Sequence, residues 1–431
     1  MHSTFLKSLY LAALCVLATA AGAQETWVRC GASIDVVEGR LTDAVTLVMV
    51  DERIDRVVGG HPPAEENVEI VDISGLTCLP GLMDMHTHLT SQSSPQRYTE
   101  GFTLNEADVA LRATVYARRT LDAGFTAVRD VGDSFNVSIA LRDAIEAGHV
   151  PGPRIFTSGK ALATTGGHAD PTNGWRADLM GTPGPRDGVL NGVGEAREAV
   201  RQRYKDGADM IKITVTGGVL SVAKSGLAPQ FRPDEVRAVV ETAADYGMHV
   251  AAHAHGKEGM IRAITAGIHS IEHGTMMDDE VFELMKTHGT WYVPTIIAGK
   301  FVAEKAEIDG YYPKLVRPKA REIGPMIQDT FERAWKSGVR IAFGTDSGVS
   351  MHGDNAEEFV FMVETGMAPA EAIRTATVNA AQLLGVSDQA GTLTAGNWAD
   401  VIAVAGNPLE DVSMLGRVEF VMKAGRVYKR E

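Results

Sequence analysis

The chain has 431 residues, of which 45% are hydrophobic and 22% are charged, and its formal net charge is −14 at pH 7. This length suits one large α/β domain and a smaller second domain. The composition excludes a mostly disordered chain, and the acidic balance argues against nucleic acids and anionic membranes as partners.

The first 23 residues predict a signal peptide. A short segment with one lysine precedes the run SLYLAALCVLATA, which has signal-peptide length and is too short to span a bilayer comfortably. Small residues in AGA place the cleavage after Ala23, and a retained membrane anchor is the alternative. We therefore expect an exported protein, periplasmic or secreted, that has no membrane contact once the signal is removed.

Both ends of the remaining chain show short alternating strands separated by turns. We expect residues 24–79 and 390–431 to form one small β-sandwich domain, because alternation with Gly, Asp and Pro turns is typical of antiparallel β structure. Cys30 and Cys78 lie in the first of these segments. Export permits a disulfide between them, but two buried free thiols fit the sequence equally well.

Residues 80–389 alternate between short apolar runs and amphipathic stretches such as NEADVALRATVYARRTLDAG. The runs are GLMDMHTHL and the segments 125–131, 154–159, 210–217, 249–255, 270–274, 291–295 and 340–346. Eight strand-like runs joined by helical crossovers predict an α/β fold, a (β/α)8 TIM barrel, and a doubly wound open sheet is the structural alternative.

Ionisable side chains occur where several of these runs end, which is where parallel barrels carry their active sites. His86 and His88 share one strand face at the first run, and His253 and His255 do so at the fifth. The other ionisable side chains at the ends of these runs are Lys212, His273 and Asp346. One strand histidine alone is more often a core residue than a ligand. So many unpaired polar groups in one core would be costly, however, and a metal ion such as Zn²⁺, Mn²⁺, Co²⁺ or Fe²⁺ would pair them.

The motifs LPGLMDMHTHL, GADMIKI, HVAAHAHG, SIEHG and FGTDSG together resemble the metal-dependent amidohydrolase superfamily. With TGGHAD at 165–170, they look most like the branch that contains Xaa-Pro dipeptidases, imidazolonepropionase-like proteins and ochratoxin-degrading amidohydrolases. The resemblance covers nearly the whole chain after the signal segment. It implies a binuclear hydrolase of amide or peptide bonds with two divalent ions, Zn²⁺ being the first expectation.

The resemblance also implies a role for each strand-end side chain. The implied metal ligands are His86, His88, Lys212, His253, His273 and Asp346. Lys212 would carry a carbamate formed from CO₂ and bridge the two ions, and the alternative is a cationic substrate anchor. Asp346 would also be the catalytic general acid and base, taking a proton from the metal-activated water and passing it to the leaving nitrogen.

Three further histidines are candidate substrate contacts. His168 lies in a glycine-rich loop after the third run and His352 follows Asp346, and for both a solvated loop histidine is the alternative. His255 could bind substrate or replace His253 as the metal ligand. Segment 217–231 is a candidate lid. Asp84 shares the face of His86 at a deeper level, so we expect a buried polar support there.

The substrates implied by the resemblance are dipeptides or N-acyl amino acids with a free carboxylate, including ochratoxin-type amides. No residue can be assigned to that carboxylate from the sequence. One alternative is a hydrolase of cyclic amides or lactones, and another is a non-catalytic exported metal-binding protein. We also expect a small-molecule amide or dipeptide as the partner and a homo-oligomer as the assembly.

Overall fold

A computed structural model describes residues 25–64 and 68–431. The signal peptide predicted for residues 1–23 lies outside these residues. The strands are β1 (Glu25–Asp35), β2 (Arg40–Thr42), β3 (Val45–Val50), β4 (Arg53–Gly59), β5 (Glu69–Pro80), β6 (Leu82–Thr87), β7 (Phe125–Asp130), β8 (Arg154–Thr157), β9 (Ile211–Thr214), β10 (Val250–Ala254), β11 (Ser270–His273), β12 (Trp291–Val293), β13 (Val401–Val404), β14 (Phe420–Lys423) and β15 (Arg426–Arg430).

The helices lie mainly between the barrel strands. They are α1 (Arg97–Glu100), α2 (Glu106–Asp122), α3 (Val137–Glu146), α4 (Ala177–Met180), α5 (Val193–Asp206), α6 (Pro233–Asp245), α7 (Lys257–Thr265), α8 (Asp279–His288), α9 (Ile296–Lys305), α10 (Arg317–Ile323), α11 (Met326–Lys336), α12 (Glu357–Glu364), α13 (Pro369–Thr375) and α14 (Val378–Leu384). None of the helices within the described ranges has both the length and the apolar character that a membrane crossing requires.

Strands from both chain ends form one sheet with a small core of its own. The strand order is β15-β14-β13-β5-β1-β3-β4, with β2 paired to β1. A bridge joins Arg53 on β4 to Trp398, just before β13, so the sheet folds back on itself. Val28, Val71 and Phe420 are among the side chains buried inside it. The β-sandwich predicted from the two chain ends is confirmed.

A disulfide joins Cys30 on β1 to Cys78 on β5. Both residues are fully buried in the sandwich core. The parallel pairing of β1 with β5 brings their Cα atoms to 5.9 Å, within the range that a disulfide spans. Of the two possibilities that the sequence left open, the structure shows the disulfide.

The central part of the chain is a closed barrel of eight parallel runs. Strands β6 to β8 form one parallel group and β9 to β12 form another. Parallel bridges close the ring by joining Leu162 to Ile213, Tyr292 to Ile341 and Thr87 to Ser347. Residues 340–347 therefore serve as the eighth run, although they form bridges and not a continuous strand. The TIM barrel prediction is confirmed, and the closed ring excludes the open sheet.

The amphipathic stretches between the runs form the outer helices. Helix α2 turns Ala113, Ala117 and Leu121 towards the main core, where Phe125 and Val128 of β7 also lie. These positions recur at the three- and four-residue spacing of one helix face. Helices that cover the strands in this way leave the polar strand ends at the mouth of the barrel.

Candidate active site

Three polar side chains meet where β6 and the eighth run end. Nε2 of His86 and Nε2 of His88 lie 3.5 and 3.2 Å from Oδ1 of Asp346. Each residue offers one atom that could bind a metal ion, and these three atoms lie within 4.8 Å of one another. Oδ1 of Asp346 is buried and accepts no hydrogen bond of acceptable geometry from the described residues. A buried carboxylate oxygen that faces two imidazole nitrogens fits a divalent cation, which would satisfy all three.

Hydrogen bonds at Nδ1 orient four of the histidine rings. They join His86 to Oε2 of Glu272 at 2.8 Å, His88 to the Gly132 carbonyl at 2.8 Å, His255 to Oγ1 of Thr275 at 2.7 Å and His273 to Oγ1 of Thr295 at 2.7 Å. For His86 and His88 the partner is a pure acceptor, so Nδ1 carries the proton and donates it. The lone pair of a neutral ring is then at Nε2, the atom that faces Asp346.

The electrostatics of these two rings differ. Burial, reinforced by the charge of Lys212, holds the pKa of His86 well below its ordinary value. Burial also acts to lower the pKa of His88, but the close approach of its Nε2 to Asp346 and the charges of Asp346 and Asp130 outweigh it, and the net shift is upward. When His88 is protonated, its second proton is on Nε2, the atom that faces the carboxylate. A cation bound there would displace this proton, so metal binding at this site should release protons.

A row of imidazole rings extends from this cluster across the barrel mouth. The centroid distances are 4.9 Å from His86 to His273, 4.7 Å from His273 to His253 and 4.3 Å from His253 to His168. Nε2 of His253 lies 3.1 Å from the Gly217 carbonyl, which leaves its Nδ1 for another partner. His253 is therefore oriented by a loop carbonyl, in the way that metal-binding histidines are oriented by their surroundings.

Lys212 projects from β9 and is only 3% exposed. Burial lowers the pKa of its amine to about 8, although the charge of Glu272 acts in the opposite direction. A larger share of this lysine is therefore neutral near pH 7 than of an ordinary lysine. The neutral amine is the form that reacts with CO₂, so the environment fits the carbamate that the family resemblance implies.

Three residues of the site have a left-handed backbone. His273, Thr295 and Asp346 have φ values of 67°, 57° and 56°, and they are half of the six non-glycine residues with positive φ in the described ranges. Such conformations cost about 1–3 kcal/mol each and persist where the surrounding structure enforces them. At His273 the turn breaks the strand alternation, and both Glu272 and His273 contact His86.

Residues 77–428 match the family model described as the amidohydrolase family. The match covers most of the chain and contains every member of the cluster. The chain belongs to the amidohydrolase family. This amidohydrolase is 36% identical to the ochratoxinase of Aspergillus niger over 375 residues, which are 81% of this chain and 75% of that enzyme. It is a hydrolase of amide bonds, and the resemblance predicted from the strand-end motifs is confirmed.

Solved structures of relatives match this amidohydrolase over nearly its full length. An Xaa-Pro dipeptidase with methionine bound in its active site has 52% sequence identity and a TM-score of 0.91, covering 94% of this chain and 100% of that one. A prolidase complexed with N-methylphosphonate-L-proline has 32% identity and a TM-score of 0.85, covering 95% and 100%. The A. niger ochratoxinase structure has 32% identity and a TM-score of 0.81, covering 95% and 96%.

The three histidines predicted as substrate contacts have different surroundings. His168 stacks on His253, and its buried Nδ1 has no hydrogen bond from the described part of the chain. His255 is buried with its ring 5.2 Å from that of His273. His352 instead bonds through Nε2 to the Ser91 carbonyl at 2.8 Å. The structure brings His168 and His255 to the row of rings and ties His352 to the loop after β6.

The segment predicted as a lid packs directly on His168. Nζ of Lys319 on α10 donates to the carbonyls of Gly218, Ser221 and Ala223 at 2.8, 2.9 and 3.0 Å. A Cβ at Gly218 would lie 2.2 Å from the ring of His168, so only glycine allows this approach. Lys319 therefore holds the first half of the segment over the imidazole row.

Asp84 supports the site from below, as the alternation predicted. It is fully buried, and Oδ1 accepts from the backbone N–H groups of His86 and Thr345, both at 3.1 Å. Its Oδ2 accepts from the Thr345 hydroxyl at 2.6 Å and the Asn355 amide at 2.8 Å. Burial raises the pKa of this carboxyl to about 6. Asp84 thus connects β6 to the eighth run, and the prediction of a buried support is confirmed.

The sequence analysis did not identify Glu272, which orients His86. Glu272 is fully buried, and its Oε1 accepts from Nη2 of Arg129 at 2.7 Å and from the hydroxyl of Ser270 at 2.5 Å. Nε of Arg129 also donates to the Met85 carbonyl at 2.6 Å. The available signal was one charged residue in each of two strand runs, Glu272 in SIEHG and Arg129 in FTAVRDV. Arg129 and Glu272 can pair only because β7 and β11 face each other across the barrel interior.

Replacing Glu272 with Gln should weaken metal binding and destabilise the fold. The affinity for Zn²⁺ is expected to fall about 10- to 100-fold, because His86 loses the carboxylate that orients its ring. The free energy of unfolding should fall by about 3–5 kcal/mol, since the buried Arg129 loses its counter-charge. Metal titration and denaturant unfolding measure the two effects.

Two variants control this experiment. Ser270→Ala removes one hydrogen bond from Glu272 and keeps the charge, so it should change both quantities less. Glu258→Gln removes an exposed carboxylate that pairs with Arg262 on α7 and should change neither. A folded Glu272→Gln protein with wild-type affinity for Zn²⁺ would contradict the positioning role.

Proposed function

We propose that this amidohydrolase cleaves the amide bond of dipeptides or N-acyl amino acids with a free carboxylate, ochratoxin-type amides included. The cluster of His86, His88 and Asp346, with its unpartnered carboxylate oxygen, carries the proposal. The substrate class is supported by relatives named as an ochratoxinase, an Xaa-Pro dipeptidase with bound methionine and a prolidase with a bound proline derivative. Methionine and this proline derivative each carry a carboxylate on the carbon that is bonded to nitrogen, as the C-terminal residue of a dipeptide does.

We assign two divalent ions to this site, with Zn²⁺ as the first candidate. His86, His88 and Asp346 would hold one ion, and His253 and His273 would hold the other. Lys212, carboxylated by CO₂, would contribute oxygen ligands to both. When bound, such ions polarise a carbonyl and lower the pKa of water towards neutrality.

Side chains of the protein would carry out the proton transfers and bind the substrate. Asp346 accepts the proton of the attacking water at a carboxylate oxygen and delivers it to the leaving nitrogen as the C–N bond breaks. Glu272 keeps the proton of His86 on Nδ1 throughout. His168, at the end of the row, and His255, beside His273, can donate ring N–H groups to substrate oxygens.

A substrate panel with metal removal tests the proposed function. The purified protein is assayed on an Xaa-Pro dipeptide, an N-acetyl amino acid and ochratoxin A, before and after treatment with a chelator and after addition of Zn²⁺. We expect hydrolysis that disappears on chelation and returns with the metal. Ring opening of an imidazolone or a lactone without amide cleavage would favour the cyclic-substrate alternative. Tight metal binding without turnover of any compound would favour a non-catalytic metal-binding protein.

We further propose that the protein is exported after removal of residues 1–23 and that it forms a homo-oligomer. The buried disulfide between Cys30 and Cys78 supports export, because reducing compartments disfavour such bonds. Large apolar side chains on the surface support self-association, among them Phe102, Leu111 and Leu179 with exposed fractions of 63%, 70% and 53%. N-terminal sequencing of the expressed protein and its mass in solution test the two statements.

A further inference from the structure

We propose that Arg97, Ser93 and Tyr312 form a subsite that binds the free carboxylate of the substrate at the mouth of the barrel. This inference rests on the proposed function and adds to it the residues that select the substrate class. The subsite is separate from the metal cluster and from the three histidines that the sequence predicted as substrate contacts.

Three hydrogen-bond donors at this place are buried without an acceptor. Nη1 of Arg97, Oγ of Ser93 and the phenolic oxygen of Tyr312 are all shielded from solvent, and none has a hydrogen-bond partner within residues 25–64 and 68–431. Native structures leave few buried donors unsatisfied, so three together indicate that a ligand supplies the acceptor. One donor is a permanent cation and the other two are hydroxyls. A carboxylate offers two oxygens and a full negative charge to such a set.

The three side chains are neighbours. Burial raises the pKa of the Tyr312 phenol. The Ser93 hydroxyl, which approaches the phenol outside ordinary hydrogen-bond geometry, and the charge of Arg97 act in the opposite direction. Tyr98, which follows Arg97 in α1, packs in the same apolar cluster as Tyr312. A ligand that reaches one of these donors therefore meets the others.

The subsite also lies over the metal cluster. Ser93 and Arg97 belong to the segment that follows β6, the strand of His86 and His88. The apolar cluster around Tyr312 contains Val349, three residues after Asp346, and Val219, two residues after the Gly217 carbonyl that contacts His253. The hydroxyl of Tyr98 donates to the Leu220 carbonyl at 2.9 Å and holds the candidate lid against the same place. Segments that follow four barrel runs thus converge here.

Lys319, a second cation of this region, is already satisfied. Nζ of Lys319 donates to three carbonyls of segment 217–231, so its hydrogen atoms are committed to holding that segment. Arg97 differs, because Nη1 of its guanidinium points into the protein without an acceptor. Arg97 is therefore better suited than Lys319 to bind a substrate anion.

The decisive experiment compares two substrates that differ only at the carboxylate. The metal-loaded protein and its Arg97→Gln variant are assayed on a dipeptide with a free C-terminus and on the same dipeptide as its C-terminal amide. The wild-type protein should prefer the free acid. In Arg97→Gln this preference, measured as the ratio of the two kcat/KM values, should fall about 10- to 100-fold, mostly through KM, because a charge-assisted bond is lost.

Further variants separate recognition from folding. Tyr312→Phe removes one hydroxyl and should lower the preference several-fold, and Arg97→Lys should keep part of it because it keeps the charge. Arg176→Gln is the matched control, since this exposed arginine pairs only with Asp178 on the described surface, and its preference should equal that of the wild type. An equal fall in kcat/KM for both substrates in a folded Arg97→Gln protein would overturn the subsite. An unchanged preference for the free acid would also overturn it.

Failure of the proposed function gives a different result. If the wild-type protein cleaves no amide, binding of N-acetyl-L-phenylalanine is measured by calorimetry in the wild-type protein and in Arg97→Gln. Binding that the variant weakens about 10-fold or more would support the subsite without the proposed reaction. Equal binding by both proteins, or none, would overturn it.

Discussion

Replacing Asp346 with Asn is expected to lower kcat for amide hydrolysis by about 10²- to 10⁴-fold. The amide oxygen of Asn can still approach the Nε2 atoms of His86 and His88, which lie 3.5 and 3.2 Å from Oδ1 of the native carboxylate. Asn cannot accept the proton of the attacking water, so proton transfer to the leaving nitrogen is lost. Because Asn also lacks the charge, some loss of metal affinity should accompany the loss of rate.

Metal content and rate must therefore be measured on the same sample. At saturating Zn²⁺, kcat should remain low in Asp346→Asn, because added metal restores the ligand set but not the proton acceptor. Asp354→Asn is the matched control, since this aspartate belongs to the same loop and is not part of the cluster. Wild-type kcat in fully metal-loaded Asp346→Asn would contradict the role of Asp346 as general acid and base.

Lys212→Ala should abolish stable binding of the metal pair. Loss of a residue that only supports a metal ligand lowers metal affinity by up to about 100-fold. Lys212→Ala removes a direct ligand, so its affinity for Zn²⁺ should fall by more than that. The deleted side chain leaves space in a buried position. Formate, acetate or propionate added at millimolar concentration should enter it and restore part of the activity, since each supplies the two oxygens of the missing carbamate. Lys336→Ala, at an exposed lysine that pairs with Glu332, should be neither impaired nor rescued.

The pH dependence of metal loading tests the same residue in the native chain. Carbamate formation requires the neutral amine, and burial lowers the pKa of Lys212 to about 8. At fixed dissolved CO₂, reactivation of the metal-free protein by Zn²⁺ should rise from pH 7 to pH 9, and an ordinary lysine would need a pH above about 10. A ¹³C carbamate signal should appear in parallel when labelled bicarbonate is used. Full activity without that signal, or no rescue of Lys212→Ala by carboxylic acids, would show that Lys212 is not carboxylated.

Much of the fold was predictable because its signals are local. Apolar runs of strand length, separated by helical periodicity, predicted a barrel whose eight runs the structure reproduces, and alternation at the two ends predicted the small β domain. The eighth run shows a limit of this reasoning. Its residues 340–346 have the composition of a strand. In the closed ring, however, this run is joined to the runs on either side by isolated bridges.

The candidate site was predictable to the extent that it depends on strand ends. In a parallel barrel every strand delivers its last residues to one face, so His86, His88 and Asp346 could be expected to meet without knowledge of any contact. The same logic brought His253, His273 and Lys212 into the set. Alternation of two residues also placed Asp84 beneath His86, where the structure finds it fully buried.

The sequence by itself therefore determined the order of the elements, the barrel, the acidic surface and the strand-end residues, because each follows from composition or from periodicity within a few residues. Only the tertiary structure decided which distant groups meet. Glu272 pairs with Arg129 and orients His86 across the barrel, and the left-handed turn at His273 overrides the alternation of its strand. The disulfide and the convergence of Arg97 with Tyr312 likewise depend on segments that are far apart in the chain. Such contacts arise from packing between elements, which no local pattern of residues records.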